Sequence, residues 1–227
     1  MNNTSIILQV RLASTRLPGK LLLPLCGISM FEHILMRLRR AKYPSSIIVA
    51  APGNTEDAVK DLVEQYGALL FIGSEEDVLR RFVEAAHAHD VHTIVRATGD
   101  NPLVSIDYLD RAVELHEYEH ADLTLFPSLP YGAGVEVIRT AVLDEAHRVS
   151  RDPFEREHIT QYIYRHESKY RLIRGTPGPE MNRPDIRVTV DTDEDYQNMC
   201  RIYEALYRNS PIRLLDVITY LDDGEHR

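Results

Sequence analysis

The 227-residue sequence predicts an α/β domain on a mostly parallel central sheet, with a smaller inserted subdomain. Two observations carry that expectation. Short β-branched or leucine-rich runs alternate with amphipathic stretches through the first half, as βα units do. Hydrophobic residues make up 44% and charged residues 27%, a balance that excludes a disordered chain and, at this length, supports one sizeable core.

The strand-like runs fall at 6–10 (IILQV), 47–51 (IIVAA), 68–72 (ALLFI) and 93–98 (TIVRAT). Between them, 30–41, 56–66 and 77–89 carry apolar residues at three- and four-residue spacing, which gathers them on one helical face. Beyond Leu125 the pattern loosens. FPSLPYGAG is rich in turn formers, 134–138 alternates as a strand, and Pro177, Pro179 and Pro184 break the chain further on. Residues 127–185 therefore read as a segment inserted beside the main sheet. The regular pattern resumes with 187–190 as a strand and 192–207 as a helix, where Thr192 and Asp195 have capping-box spacing.

The opening MNNTSIILQV has no basic start, and its apolar run is short before Arg11. Neither a secretory leader nor a membrane span is expected, and the cytoplasm is the default compartment. Cys26 and Cys200 lack metal-ligand spacing, so two reduced thiols are expected rather than a disulfide framework or structural zinc. The formal charge, 26 minus 35 or −9, opposes non-specific binding to nucleic acid or an anionic membrane. An anionic small molecule requires a local cationic cluster, which a Debye length of about 8 Å isolates from the acidic surface.

Such a cluster comes directly after the first strand. Arg11-Leu-Ala-Ser14-Thr-Arg16-Leu-Pro18-Gly19-Lys20 sets three cations, two hydroxyls and a Pro-Gly turn at a strand's carboxyl end, where open α/β sheets bind ligands. Gly19 lets backbone N–H groups approach oxygens, Arg11 and Arg16 can fork to phosphate, and Lys20 is a mobile point charge. At ~4 Å and an effective dielectric near 20, each such pair is worth on the order of 4 kcal/mol before desolvation. Other phosphate loops fit poorly. A Walker loop needs Gly where Ser14 stands and Ser or Thr where Leu21 stands; a dinucleotide fingerprint fails at Val137. The plainer alternative is a solvated basic loop.

A second signal lies in two separated aspartates. The run RATGDNP puts Asp100 at the end of the fourth strand, and VTVDTDED puts Asp191 at the end of the last. Magnesium typically takes one or two carboxylates and completes its octahedron with water and substrate phosphates. Each aspartate also has a local reading: Asp100 as a turn residue before Pro102, Asp191 as the start or cap of the next helix. Ser74 or Asp77 reads as a helix start in the same way. His158 reads either as a proton carrier or as a structural histidine, and His87, His89 and His92 as surface groups.

LQVRLASTRLPGKLL, GDNP and VDTDED together resemble the CMP-KDO synthetase-like cytidylyltransferase family, in the SpsF-like, spore-coat polysaccharide branch. GSEEDVLRR, GAGVEV and FEREHIT match that branch as well. The resemblance implies a Rossmann-like nucleotidyltransferase of the nucleotide-diphospho-sugar transferase type. It assigns Arg11, Ser14, Arg16, Gly19 and Lys20 to the CTP triphosphate, with Arg11, Arg16 and Lys20 as the catalytic cations. Gly73, Ser74, Asp77 and Thr98 go to the nucleotide, and Asp100 and Asp191 to Mg2+. Glu136, Arg156, Glu157 and His158 go to a small-molecule acceptor, and a homodimer through the middle segment is implied. One departure concerns Thr98, which stands where the KDO-specific enzymes carry Gln and argues against KDO itself as the acceptor.

The reaction so implied transfers CMP to an acceptor oxygen with release of pyrophosphate, for polysaccharide biosynthesis. The alternatives are another nucleotide specificity, such as a sugar-1-phosphate enzyme using UTP or GTP, or a non-catalytic nucleotide-binding protein of the same fold. Lys20 is expected to be exposed in an empty site, so that its loss removes turnover and spares the fold.

Overall fold

Along the chain, the strands are β1 (Thr4–Gln9), a hairpin of β2 (Pro24–Leu25) and β3 (Ile28–Ser29), then β4 (Ile47–Pro52), β5 (Leu69–Gly73) and β6 (Thr93–Thr98). They continue with β7 (Leu123–Leu125), β8 (Glu136–Arg139) and β9 (Leu172–Arg174), in a computed structural model that describes residues 3–225. Apart from the hairpin they form one sheet, ordered β5-β4-β1-β6-β8-β7-β9. β5, β4, β1 and β6 pair in parallel, β8 is antiparallel to both its neighbours, and β7 and β9 are parallel. Each parallel pair needs a long crossover, which helices supply.

Those helices are α1 (Met30–Leu38), α2 (Glu56–Gln65), α3 (Val78–Ala88), α4 (Ile106–Tyr118), α5 (Thr140–Val149), α6 (Pro153–Glu157), α7 (Gln161–Arg165), α8 (Asp193–Leu206) and α9 (Leu214–Glu225). Strand alternation sorts them into two layers. Ile6, Leu8 and Val10 enter a cluster with residues of α1, α2, α4, α8 and α9, while Ile7 enters a second with α3, α5 and α7. β6 divides likewise: Val95 and Ala97 join the first cluster and Ile94 the second. Arg96 and Thr98 therefore share the face of Ile94, toward the carboxyl edge where the core gives way to a cleft.

Local chemistry sets the helix ends. Ser29 and Glu32 form a capping box on α1, and Thr192 with Asp195 forms the expected one on α8. Asp77 caps α3 by accepting from Arg80 N–H, and Ser105 caps α4. None of the described helices is long and apolar enough to cross a membrane.

One expectation needs correction. Residues 187–190 are extended but form no ladder, because their partners are two separate loops. Val188 N–H donates to Tyr131 O at 2.8 Å, Val190 N–H to Asp100 O at 2.8 Å, and the bridge at Arg187 to Tyr131 is isolated. Residues 127–185 join the main sheet. They supply β8 and β9 to the main sheet and helices α5 to α7, of which α5 and α6 pack on α3. The turn-rich stretch before β8 marks a reversal of strand direction.

Candidate nucleotide-binding cleft

At the carboxyl ends of β1 and β6 the sheet opens into a cleft of about 650 Å³. Arg11, Ser14, Arg16 and Lys20 line it from the loop after β1, Thr98 from the end of β6, Asp100 from just beyond it, and Asp191 from just before the cap of α8. Lys20 is not exposed there, contrary to expectation: it is only 9% accessible. Gly19, at a φ of 68°, starts a 3-10 turn over Lys20–Leu22, and Leu21 anchors that turn in the core at 1% exposure. The turn swings the Lys20 side chain inward. Its Nζ donates to Val190 O at 2.7 Å, Asp191 Oδ1 at 3.0 Å and Asp100 Oδ2 at 3.4 Å.

Asp191 is the hub of this end. Partial burial works to raise its carboxyl, but hydrogen bonding and charge from Lys20, then Arg16 and Arg187, outweigh that and hold it below the ordinary carboxylate value. Arg16 Nη2 lies 3.1 Å from Oδ1, and Arg187 donates to Oδ2 at 2.7 Å. Asp100 is steadied separately, accepting from the Thr98 hydroxyl at 2.5 Å, while Asn101 Nδ2 donates to that hydroxyl at 2.9 Å. Gly132 closes the floor. Its φ is 97°, and a Cβ there would fall 2.8 Å from both Thr189 Cβ and Thr189 N and 3.0 Å from Asn101 Oδ1, so no larger residue fits.

The opposite end is built around Glu136. Arg96 Nη1 donates to it at 2.6 Å, Thr160 Oγ1 at 3.3 Å, and the Tyr164 hydroxyl also donates. Burial, then the Glu136 charge, pushes the Tyr164 hydroxyl well above its ordinary value, so it stays a donor. Arg96 Nε is buried without a protein partner. Glu157 and His158 also face the cleft, and Glu157 pairs with Arg11 at 3.5 Å across its mouth. Leu125, Phe126, Leu129 and Pro130 form an apolar wall beside them.

Residues 5–214 match the family model described as Cytidylyltransferase. The chain belongs to the cytidylyltransferase family. It is 33% identical over 230 residues to the spore coat polysaccharide biosynthesis protein SpsF of Bacillus subtilis (strain 168), across 98% of this chain and 95% of that protein. A solved cytidylyltransferase from Leptospira borgpetersenii serovar Hardjo-bovis (strain JB197) superposes with a TM-score of 0.93 at 27% identity, covering 100% of this chain and 96% of that one. A CMP-2-keto-3-deoxy-manno-octonic acid synthetase complexed with CTP matches with a TM-score of 0.68 over 90% of this chain and 99% of its own; at 18% identity it speaks for the fold alone.

Five residues assigned to ligands by resemblance lie elsewhere in this cytidylyltransferase. Gly73, Ser74 and Asp77 do not line the cleft. The Ser74 hydroxyl accepts from Asp77 N–H at 3.1 Å, and Asp77 is occupied capping α3. Arg156 turns away from the cleft to donate to Asp77 Oδ2 at 2.8 Å through Nε, and to the His147 and Ser150 carbonyls at 3.2 and 2.9 Å. It ties α6 to the start of α3. Gly19 lies outside the cleft wall and acts through the turn it permits.

Arg96 and Arg187, conversely, are site residues that no motif assignment included. A cation alternating with apolar residues inside TIVRAT marks Arg96 as facing something other than core. Arg187 gives no comparable signal, because nothing in the sequence pattern shows that its side chain reaches Asp191 and Asp195.

The donor set fits magnesium. Among the described residues no group of three or more His, Cys, Asp or Glu side chains could hold a metal ion, but Mg2+ requires only one or two carboxylates beside water and phosphate. Asp100 and Asp191 meet the same Lys20 ammonium, so their oxygens face one space.

Proposed function

We propose that this chain transfers CMP from CTP to a small sugar or sugar-like acceptor, with Mg2+ and release of pyrophosphate, in polysaccharide biosynthesis. The observation that carries the reading is that Lys20, Asp100 and Asp191, distant in sequence, meet in one cleft with Arg11 and Arg16 at its entrance. Membership of the cytidylyltransferase family supports CTP as the donor, and similarity to SpsF supports a polysaccharide precursor as the acceptor class.

On this reading Arg11, Arg16 and Lys20 bind the triphosphate. Lys20 must then exchange its carboxylate contacts for phosphate oxygens, so its present ion pairs mark a resting arrangement. Asp100 and Asp191 would hold Mg2+, which when bound supplies charge neutralisation for the phosphates. The acceptor hydroxyl oxygen bonds to the α-phosphorus as the α,β-bridging bond breaks; pyrophosphate leaves with its electron pair and the hydroxyl proton passes to water. The cations stabilise the charge gathering on the departing oxygen. Arg96, fixed by Glu136, and the wall from Leu125 to Pro130 orient the acceptor.

The test is pyrophosphate release with CTP, UTP, GTP and ATP over a panel of acidic, phosphorylated and neutral sugars in Mg2+. Turnover with CTP and at least one acceptor is the expected result. Faster release with UTP or GTP overturns the nucleotide assignment, and tight CTP binding without release across the panel overturns catalysis.

A further inference from the structure

The two oxygens of Asp191 serve different partners. Oδ1 takes Lys20 at 3.0 Å and Arg16 at 3.1 Å, both of which face the cleft. Oδ2 takes Arg187 at 2.7 Å. A triphosphate entering the cleft competes for Lys20 and Arg16, so those contacts with Oδ1 are the ones surrendered. Arg187 sits on the far oxygen and need not move.

Arg187 is itself referenced to rigid structure. Its Nε donates to Asp195 Oδ1 at 2.9 Å, while Asp195 Oδ2 receives the backbone N–H of Asp191 at 3.0 Å and of Thr192 at 2.9 Å. The guanidinium lies 5.0 Å from the centroid of the Tyr131 ring. Tyr131 N–H donates in turn to Ile186 O at 2.7 Å, and its carbonyl accepts from Val188. Arg187 is thus held by the helix cap, by an aromatic face and by the backbone around it.

Its side chain is 42% exposed, and ion pairs at that exposure contribute little to folding stability. What the arrangement supplies is orientation. A planar fork spans Asp191 and Asp195 together; a lysine ammonium is a point charge that cannot reproduce both directions.

We propose that Arg187 is a positioning residue that fixes Asp191 by its far oxygen, so that Oδ1 stays turned into the cleft to receive a divalent cation when Lys20 and Arg16 move onto phosphate. This rests on reading Asp191 as a metal carboxylate. Groups that orient metal ligands from behind typically change metal affinity about 10- to 100-fold when removed.

The experiment measures Mn2+ binding by electron paramagnetic resonance, with α,β-methylene-CTP present, on the full chain and its Arg187→Lys and Arg187→Gln variants. Expected are a loss of Mn2+ affinity of about tenfold or more in both variants and a thermal midpoint in metal-free buffer within about 3 °C of wild type. Wild-type Mn2+ affinity in either variant overturns the proposal while leaving the metal site standing. A wild-type chain that binds no Mn2+ overturns the metal reading itself, and this inference with it.

Discussion

The burial of Lys20 changes what its removal should do. In Lys20→Ala the carboxylates of Asp100 and Asp191 lose the cation they share, and Val190 O loses its donor. A hydrogen bond to a charged group is worth about 1.5–3 kcal/mol, and breaking a buried pair about 3–5 kcal/mol. Asp100 is 31% exposed, and Asp191 keeps Arg16 and Arg187, so part of that loss is recovered. The net expectation is roughly 2–3 kcal/mol of destabilisation at neutral pH, or about 4–12 °C in midpoint for a domain of this size. The assay is urea and thermal unfolding of both proteins in metal-free buffer across pH. Because the Asp191 carboxyl is held below its ordinary value, its stabilisation is complete above the unfolded value of about 3.9 and is lost as pH falls through the lower folded value. The gap between the two proteins should therefore be full at pH 7 and shrink in acid below about pH 4. Identical unfolding curves at pH 7 would show that the ammonium does not bridge these carboxylates, and the resting arrangement of the cleft would fall with it.

Gly132→Ala should cost about 1–3 kcal/mol by urea midpoint, from the positive φ and the contact with Thr189, and should lower turnover by displacing the segment that carries Asp191. Arg156→Ala should destabilise the fold by about 2 kcal/mol, because Asp77 loses its charged partner and the His147 and Ser150 carbonyls each lose a donor, yet change KM for CTP by less than about threefold. Tyr164→Phe removes a donor from Glu136; initial-rate kinetics should show KM for the acceptor rising about tenfold with KM for CTP unchanged.

Much of the fold was legible because its signals are local and periodic. The expected run 93–98 matches β6 residue for residue, and the other early strands and helices shift only at their ends. The cation loop and the two aspartates could be placed at a common edge because parallel βα units bring every strand's carboxyl end to the same side. What was not legible depends on direction and partner. VTV at 188–190 reads as a strand from its β-branched side chains, but propensity reports an extended backbone and says nothing of what it bonds to. β7 and β9 are each three residues long, too short for alternation to show. Arg156 and Glu157 are adjacent on one short helix, yet one faces α3 and the other the cleft, a distinction that depends on where α3 lies. Lys20 looked like a free phosphate ligand because the sequence shows its neighbours in the loop and not the residues eighty and more positions away that enclose it.

The charge inventory of the cleft explains how an acidic chain can maintain a cationic loop. Arg11, Arg16, Lys20 and Arg96 face Asp100, Glu136, Glu157 and Asp191, four cations against four carboxylates, so the lining is formally neutral apart from His158. Most of these charges are already paired within the protein. Under the proposed reaction, a triphosphate arriving alone would draw off Lys20 and Arg16 and leave Asp100 and Asp191 facing each other less compensated, while a divalent cation arriving alone would have to displace the Lys20 ammonium against like charge. Together each would remove the obstacle to the other, with Lys20 and Arg16 passing to the phosphates as Asp100 and Asp191 come to hold the cation. On that reading nucleotide and metal binding would be coupled through Lys20, by the burial that the sequence alone did not reveal.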